Sequence, residues 1–591
     1  MTSTPSLNDL GLIGNCQAAA HIDRSGSVVW CCLPRFDAEP IFGALLDPDG
    51  GHFRIGPAAG GQGTQRYLHN TNVLETRFDG PEGSFRVIDF FPRFEQNGRS
   101  FRPTQLMRIV EPLSGTPHVS VDISPRLGWS KVVPASVVGS HHVQWQGYTA
   151  PLRLTTDASL ARLSGQPFAL TATKYFVLAW GAPVEEELGP LCERFRASTE
   201  AYWRTWVKHC DVPAWWQNEV IRSALVLKLH CAEDTGAIVA ALTTSLPEAP
   251  GTGRTWDYRY CWLRDAYYAL DAFRLLGHFE EREQFLEFLL SLVGSSTDLV
   301  LNPLYRLDGS SELTEHALSN WKGYRDEGPV RIGNGAATHL QHDVYGEVVL
   351  ALSPLFLDAR FHDQQTASTF DLLARVARRG ISLAGTADAG IWELRTEWTP
   401  QTFSTLMCWA GADRMAGLAR LHRPALEAEF RGEADRLRAL VRATCVDVER
   451  GTLVARPGSR DVDASLLQAL PLRFFGKGDP LASGTIDAVV ADLSIDGWLQ
   501  RYRSDDGFGS HRVAFTICSF WLVQALTTAG RLDEARAVMN HLMAALPPLG
   551  LLSEDVDPRT REQWGNYPQA YSHVGLIHAA FAASPSWSEV A

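Results

Sequence analysis

The chain has 591 residues, of which 20% are charged and 45% hydrophobic, and its formal net charge is −13. That length exceeds what one ordinary core supports and points to at least two domains, while the acidic balance and the absence of any Lys/Arg run exclude a nucleic-acid partner. No apolar stretch is long enough to span a bilayer, and the first residues, MTSTPSLNDLGLIGNC, lack the basic and apolar parts of a signal peptide, so a soluble cytoplasmic protein with no membrane partner is expected.

From residue 1 to about 183 the sequence runs in short alternating, β-rich stretches broken by Gly, Pro and Asn: Ser27–Cys32, Phe85–Phe91, Val119–Ile123, His142–Trp145, Leu152–Thr155 and Tyr175–Trp180. This period of two predicts an antiparallel β-sandwich. Residues 184–215 change character, with Leu188, Leu191, Phe195, Tyr202 and Trp206 at roughly helical intervals among charges, and read as a helical linker. From 216 to 591 the helical period dominates. Twelve helices are expected, over 216–232, 265–276, 279–293, 337–356, 366–384, 401–420, 424–446, 461–473, 484–494, 512–529, 531–546 and 568–583, each closed by Gly, Pro or a polar turn. So many helices without strands form either a solenoid or a closed double ring of helix pairs, and the lack of a fixed repeat weakens the solenoid.

In such a ring every second connection emerges on one end. The loops that share that end carry TWDYRYCWLRDA (255–266), NWKGYRDEGPVRIGNGAA (320–337), AGIWELRTEW (389–398), RYRSDDGFGSHR (501–512) and GLLSEDVDPRTREQWGNYPQAYSH (550–573). Long Gly- and aromatic-rich loops gathered on one end of a rigid scaffold are where a site is expected. The ten cysteines are scattered, without a CxxC pair, so neither a disulfide framework nor a metal site is expected, and no cofactor. The eighteen Trp supply flat apolar faces with a polar edge, suited to stacking on sugar rings.

Cleaving a glycosidic bond requires one carboxylic acid to protonate the leaving oxygen and one carboxylate to act opposite it. Glu393, enclosed by Ile391, Trp392 and Leu394, and Glu554, which follows the apolar run 549–552, are the candidates. An apolar setting raises a carboxyl pKa, which suits Glu393 to the acid role. Glu554, beside Asp555 and Asp557, is expected to be the more hydrated of the two.

The strings TTSLPEAPGTGRTWDYRYCWLRDA (243–266), GPVRIGNGAA (328–337), HDVYGEV (342–348), GIWELR (390–395), CSFWLVQAL (518–526), GLLSEDVDP (550–558) and GNYPQAYSH (565–573), together with the N-terminal GLIGNCQAAAHIDRSGSVVWCCLPRFD (11–37), resemble glycoside hydrolase family 15, in its glucoamylase, glucodextranase and bacterial trehalase-like branches. The resemblance runs through almost the whole chain. It implies a multi-domain protein with an N-terminal antiparallel β-sandwich and an all-α (α/α)6 barrel catalytic domain, and an inverting exo-acting hydrolysis that releases β-glucose. Carried over by motif, it makes Glu393 the general acid, Glu554 the general base, and Arg264 and Asp265 the pair that grips the hydroxyls of the terminal glucose. For inversion the carboxyls stand about 6.5–9.5 Å apart. Trp256, Tyr258, Trp262, Trp321 and Trp392 are candidates for the pocket wall, and Arg331 shapes the site with Asn334. The expected partner is a small carbohydrate, trehalose or a short α-glucan; a homo-oligomer is compatible with the sequence.

The chain departs from the family pattern at Thr405, at Arg512–Val513 and at Asp326–Glu327, which touches the region expected to hold the leaving group. Two other classes compete: a non-catalytic sugar-binding or regulatory protein on the same scaffold, and a sugar isomerase using His573 and His511 as bases.

Overall fold

The computed structural model describes residues 4–590 except 297, 505 and 509–511. Two antiparallel sheets occupy residues 10–180. One runs in the order Leu10–Gly14, Ala19–Asp23, Ser27–Cys32, His52–Pro57, His118–Ser124, Phe168–Ala169, with Pro40–Phe42 also paired to Ser27–Cys32; the other runs Ser136–Val138, His142–Trp145, Leu152–Thr156, Lys174–Trp180, Gln105–Gly115, Gly83–Phe90, Leu74–Gly80, Thr64–Tyr67. Their inner faces share one apolar core, as alternating strands require. A buried arginine fastens the sheets together: Arg108 on the second sheet pairs with Asp89 at 2.7 Å and donates to the carbonyls of Phe53 and Gly26 on the first, at 2.6 and 2.8 Å. A buried guanidinium is tolerable because each of its three nitrogens meets an acceptor.

Helix α1 (Leu188–Lys208) leaves the sandwich and packs back on it through Leu191, Cys192 and Phe195. Then follow α2 (Gln217–Leu229), α3 (Leu263–Leu275), α4 (Phe279–Ser295), α5 (Asp343–Leu352), α6 (Ala367–Leu383), α7 (Thr402–His422), α8 (Glu427–Thr444), α9 (Pro480–Leu493), α10 (Thr516–Thr528), α11 (Leu532–Met543) and α12 (Ala570–Ala583). Helix α3 packs on α5, α5 on α7, α7 on the 3-10 turn Ala464–Ala469, that turn on α10, α10 on α12, and α12 on α3. Around them α4, α6, α8, α9, α11 and α2 each pack against one or two members of this inner set. The inner α5, α10 and α12 are buried almost all round, whereas the outer α6 and α8 bury one stripe, the pattern that two concentric layers dictate.

Two expected helices differ. Residues 461–473 form only the six-residue turn Ala464–Ala469, capped by Asp463 and stopped before Pro471. The span 337–356 is divided: Gly335–Thr338 is a separate 3-10 turn under the Asn334 cap, and Pro354 converts the end of α5 to 3-10. Among the described residues no helix is long and apolar enough to cross a membrane.

The sandwich backs the loops that enter the inner helices. His21 bonds the carbonyl of Tyr567 at 3.1 Å, Trp30 donates to that of Leu242 at 2.9 Å, and Arg259, paired with Asp257, donates to Ala38 at 2.7 Å.

Candidate active site

The loops preceding α3, α7, α10 and α12 meet around one pocket of about 830 Å³, mouth included. The first supplies Glu248, Arg254, Trp256, Tyr258 and Trp262, and the opening turn of α3 supplies Arg264 and Asp265; the second gives Ile391 to Arg395; the third Arg501, Tyr502, Asp506, Phe508 and Phe515; the last Glu554, with Gln569 and Tyr571 at the start of α12. Glu393 and Glu554 therefore line the same cavity.

Glu393 sits at φ +56°, in the left-handed region that non-glycine residues rarely occupy. Gly390, at φ +65°, starts the tight turn, and the Glu393 amide donates to its carbonyl at 3.1 Å. The strain aims the carboxylate at two donors: the Trp262 indole N–H at 2.6 Å and Arg264 Nη1 at 3.4 Å. Arg264 is itself fixed by the Ile391 carbonyl at 2.8 Å and lies 3.3 Å from Asp265. Burial pushes the Asp265 carboxyl up to about 6, opposed by Arg264 and reinforced by Glu393.

Glu554 is held from its backbone. Its amide donates to Asn566 and its carbonyl accepts from Thr516, beside the three-stranded pairing of Ala514–Phe515, Asp555–Val556 and Gln563–Trp564. Oε1 accepts from the Tyr258 hydroxyl at 2.9 Å, while Oε2 is buried without a hydrogen-bond partner. The residue is 1% exposed and Asp555 is fully buried. Glu554 is thus the less hydrated carboxyl, which corrects the expectation drawn from its acidic neighbours: the loop folds Asp555 inward onto Arg501, and only Asp557 stays at the rim. Burial, with Glu248 and Asp555 as like charges, drives the Glu554 carboxyl well above the usual range against the pull of Arg501 and Tyr258. Tyr258 and Trp262 touch edge to face at 5.3 Å, so one aromatic pair braces both carboxylates.

Trp392 lines the pocket against Tyr502 and Phe515. Trp256 lines it as well, but the Arg395 and Arg331 guanidiniums lie over its ring at 3.9 and 4.8 Å and both pair with Glu315, so it is a braced wall rather than a bare stacking platform. Arg331 therefore acts from behind Trp256 and does not line the cavity. Trp321 is elsewhere: its indole donates to the Trp129 carbonyl at 2.8 Å and its ring packs on Gly43 and Gly50 of the sandwich. Its place in an aromatic-rich loop concealed that the loop's other side faces the N-terminal sheets. His573 is buried in α12, where Nε2 accepts from the Leu552 amide and Nδ1 meets Ser223, too engaged to serve as a base; His511 lies outside the described residues.

Glu248, Arg254, Arg395, Arg501, Tyr502 and Asp506 also line the pocket. Their loops stand out in the sequence, but single charged residues in loops carry no periodic signal that separates a pocket from a solvated surface. Among the described residues no group of three or more His, Cys, Asp or Glu is arranged to hold a metal ion.

The model of glycosyl hydrolases family 15 matches residues 216–581, and that of the trehalase-like N-terminal domain matches 2–166. A trehalase of Mycolicibacterium smegmatis is 34% identical over 97% of this chain and 91% of its own length, and one of Thermoplasma volcanium is 31% identical over 98% and 93%. The crystal structure of a bacterial glucoamylase complexed with acarbose superposes with a TM-score of 0.68 at 13% identity, covering 98% of this chain and 94% of that one, a likeness of fold. With the paired carboxyls in one pocket, these matches mean that the chain belongs to glycosyl hydrolases family 15 and is a glycoside hydrolase.

Proposed function

We propose that this hydrolase is an inverting, exo-acting α-glucosidase whose substrate is a small α-linked glucoside, trehalose before short α-glucans. The observation that carries the reading is the pair Glu393 and Glu554 in one pocket with Arg264 and Asp265 beside the first of them; the trehalases among its relatives favour trehalose. In this reading residues 1–183, 184–215 and 216–591 are the sandwich, linker and catalytic domains, and the two concentric helix layers form an (α/α)6 barrel.

The terminal glucose enters as far as Arg264 and Asp265, where a guanidinium donates to and a carboxylate accepts from paired hydroxyls. Glu393 protonates the glycosidic oxygen, and Glu554 takes a proton from the water that attacks the anomeric carbon from the opposite side, giving β-glucose. Glu393 is the acid on its position beside this hydroxyl clamp rather than on its burial. Glu554 must be ionised to act, so its raised carboxyl sets an acidic limb of the rate profile nearer neutrality than an ordinary glutamate would.

Glucose release from trehalose, maltose, isomaltose, kojibiose, nigerose and maltotriose, with the anomer of fresh product followed by NMR, tests this. β-Glucose from trehalose is the expected result. Because the leaving glucose of trehalose keeps its α configuration, equal amounts of fresh α- and β-glucose mean inversion; fresh α-glucose alone would overturn it, and release from none of these sugars would overturn the substrate class.

A further inference from the structure

Around Glu554 the bookkeeping of charge is unbalanced. Three buried carboxyls, Glu248, Glu554 and Asp555, are 2%, 1% and 0% exposed, and one guanidinium nitrogen serves them all: Arg501 Nη2 lies 3.1 Å from Glu248, 3.0 Å from Asp555 and 3.7 Å from Glu554. Also facing this cluster are the Tyr258 hydroxyl on Glu554, the Trp256 indole N–H, which donates to Glu248 at 3.0 Å, and, beyond Glu248, Arg254 with its partner Asp506. Arg501 comes from the loop before α10, Glu248 and Tyr258 from the loop before α3, and Asp555 from the chain of Glu554 itself, so three separate segments converge on the base from different sides. The Arg501 side chain is 8% exposed and its guanidinium lies over the Phe515 ring, 4.6 Å from the ring centre. Coulomb attraction at such separations in a dry site is strong enough to decide which carboxyl ionises.

We propose that Arg501 is the positioning residue of the base: by sharing one nitrogen among three buried carboxyls it lets Glu554 carry its negative charge, while Glu248 and Asp555 compete for the same cation. This rests on the hydrolase reading given above, in which Glu554 must be ionised. Its consequence is a tunable acidic limb. A residue that removes a competitor makes Glu554 easier to ionise, and a residue that weakens the cation makes it harder. Burial, with Glu248 as a like charge, raises the Asp555 carboxyl against the pull of Arg501. Arg501 touches no substrate atom in this scheme.

The test is the pH profile of kcat/KM for trehalose in full-length enzyme carrying Arg501→Lys, Asp555→Asn or Glu248→Gln. Arg501→Lys keeps a cation but loses the shared fork, and its acidic limb should move to higher pH by about one unit. Asp555→Asn and Glu248→Gln each remove a like charge, and their acidic limbs should move to lower pH by a similar amount. A structural role alone would lower kcat in all three without moving the limb, and that result would overturn the proposal. Infrared titration of the carboxyl stretch, taken as the difference between each variant and its Glu554→Gln counterpart, reads the same shift without turnover. Failure to cleave any glucoside with the infrared shifts present would sink the hydrolase reading and leave the role of Arg501 standing; cleavage with unmoved bands would do the reverse.

Discussion

The two sides of the pocket are built to the same recipe and reach opposite ends. Each glutamate has one buried arginine and a set of buried acids nearby: Arg264 with Asp265, and behind them Asp343 and Glu347, on the Glu393 side; Arg501 with Asp555 and Glu248 on the Glu554 side. On the first side the arginine and an indole N–H both reach the glutamate, which stays partly open to the cavity. On the second the arginine is spent mainly on the neighbours and one glutamate oxygen is left without a partner. The lesson is that charge count does not assign the roles; the number of donors that reach each carboxylate, and the room left beside it, do.

The sharpest way to break this comparison is to remove each carboxylate in turn. Glu393→Gln and Glu554→Gln should each slow trehalose cleavage by about 10³-fold, within the range for general acid–base groups. They part company on α-glucosyl fluoride, whose leaving group needs no proton. Turnover there should return in Glu393→Gln and stay lost in Glu554→Gln. Recovery in the Glu554 variant instead would exchange the two roles, as burial taken alone would have it.

A smaller change acts on the Glu554 side through space alone. Gly565, at φ +76°, lies so close that a Cβ on it would stand 2.7 Å from the Glu554 Cβ and 2.8 Å from Oε2. Gly565→Ala should therefore displace the base and reduce kcat by about 10²-fold, the cost of a misplacement near 1 Å, while a thermal scan still shows a folded protein. Unchanged kcat would mean that the base tolerates movement. On the Glu393 side the matching change is Trp262→Phe, which keeps a ring and removes the N–H that donates at 2.6 Å. Losing one hydrogen bond to a charged group is worth about 10-fold, and steady-state kinetics of that variant should show a loss of this size in kcat rather than in KM.

Much of this architecture is legible in the sequence, because it rests on periodicity. Alternation in Ser27–Cys32 and Tyr175–Trp180 becomes strands at those positions, and all but two of the expected helical stretches appear as continuous helices. Phase along the ring then puts the motif loops at one end, which is how Glu393 and Glu554 could be named together, whereas Arg264 and Asp265 rest on the family resemblance of their motif. Depth is what periodicity does not encode. Asp555 beside Glu554 reads as hydration in one dimension, yet the loop turns it inward onto an arginine some fifty residues away, and Trp321 shares a loop with the pocket-lining Asn334 while packing on the N-terminal sheets. Arg501 and Glu248 escaped notice for the same reason: their meaning is a distance to partners far off in the chain.

The smallest effect expected on catalysis, and the one that sharpens the comparison from beneath, concerns Asp343. It is fully buried on α5 below Arg264, neither carboxyl oxygen has a hydrogen-bond partner, and burial with Asp388 as a like charge pushes it up to about 7 from an ordinary value of 3.8. A carboxyl raised on folding contributes stability that is complete below its unfolded value and is lost as pH rises through its folded one. The wild-type protein should therefore lose stability through this group between pH 3.8 and about 7. Asp343→Asn cannot ionise, keeps the shape and escapes that loss, so its stability relative to the wild type should grow across this window by a total on the order of a few kcal/mol at most and level off above it, read as a Tm difference that rises with pH. Because Asp343 touches no substrate, kcat should change little. A Tm difference that stays flat with pH would place the proton of this cluster on Glu347 instead, and would leave Arg264 facing a charged Asp343, the same competition for one cation that Arg501 meets on the other side.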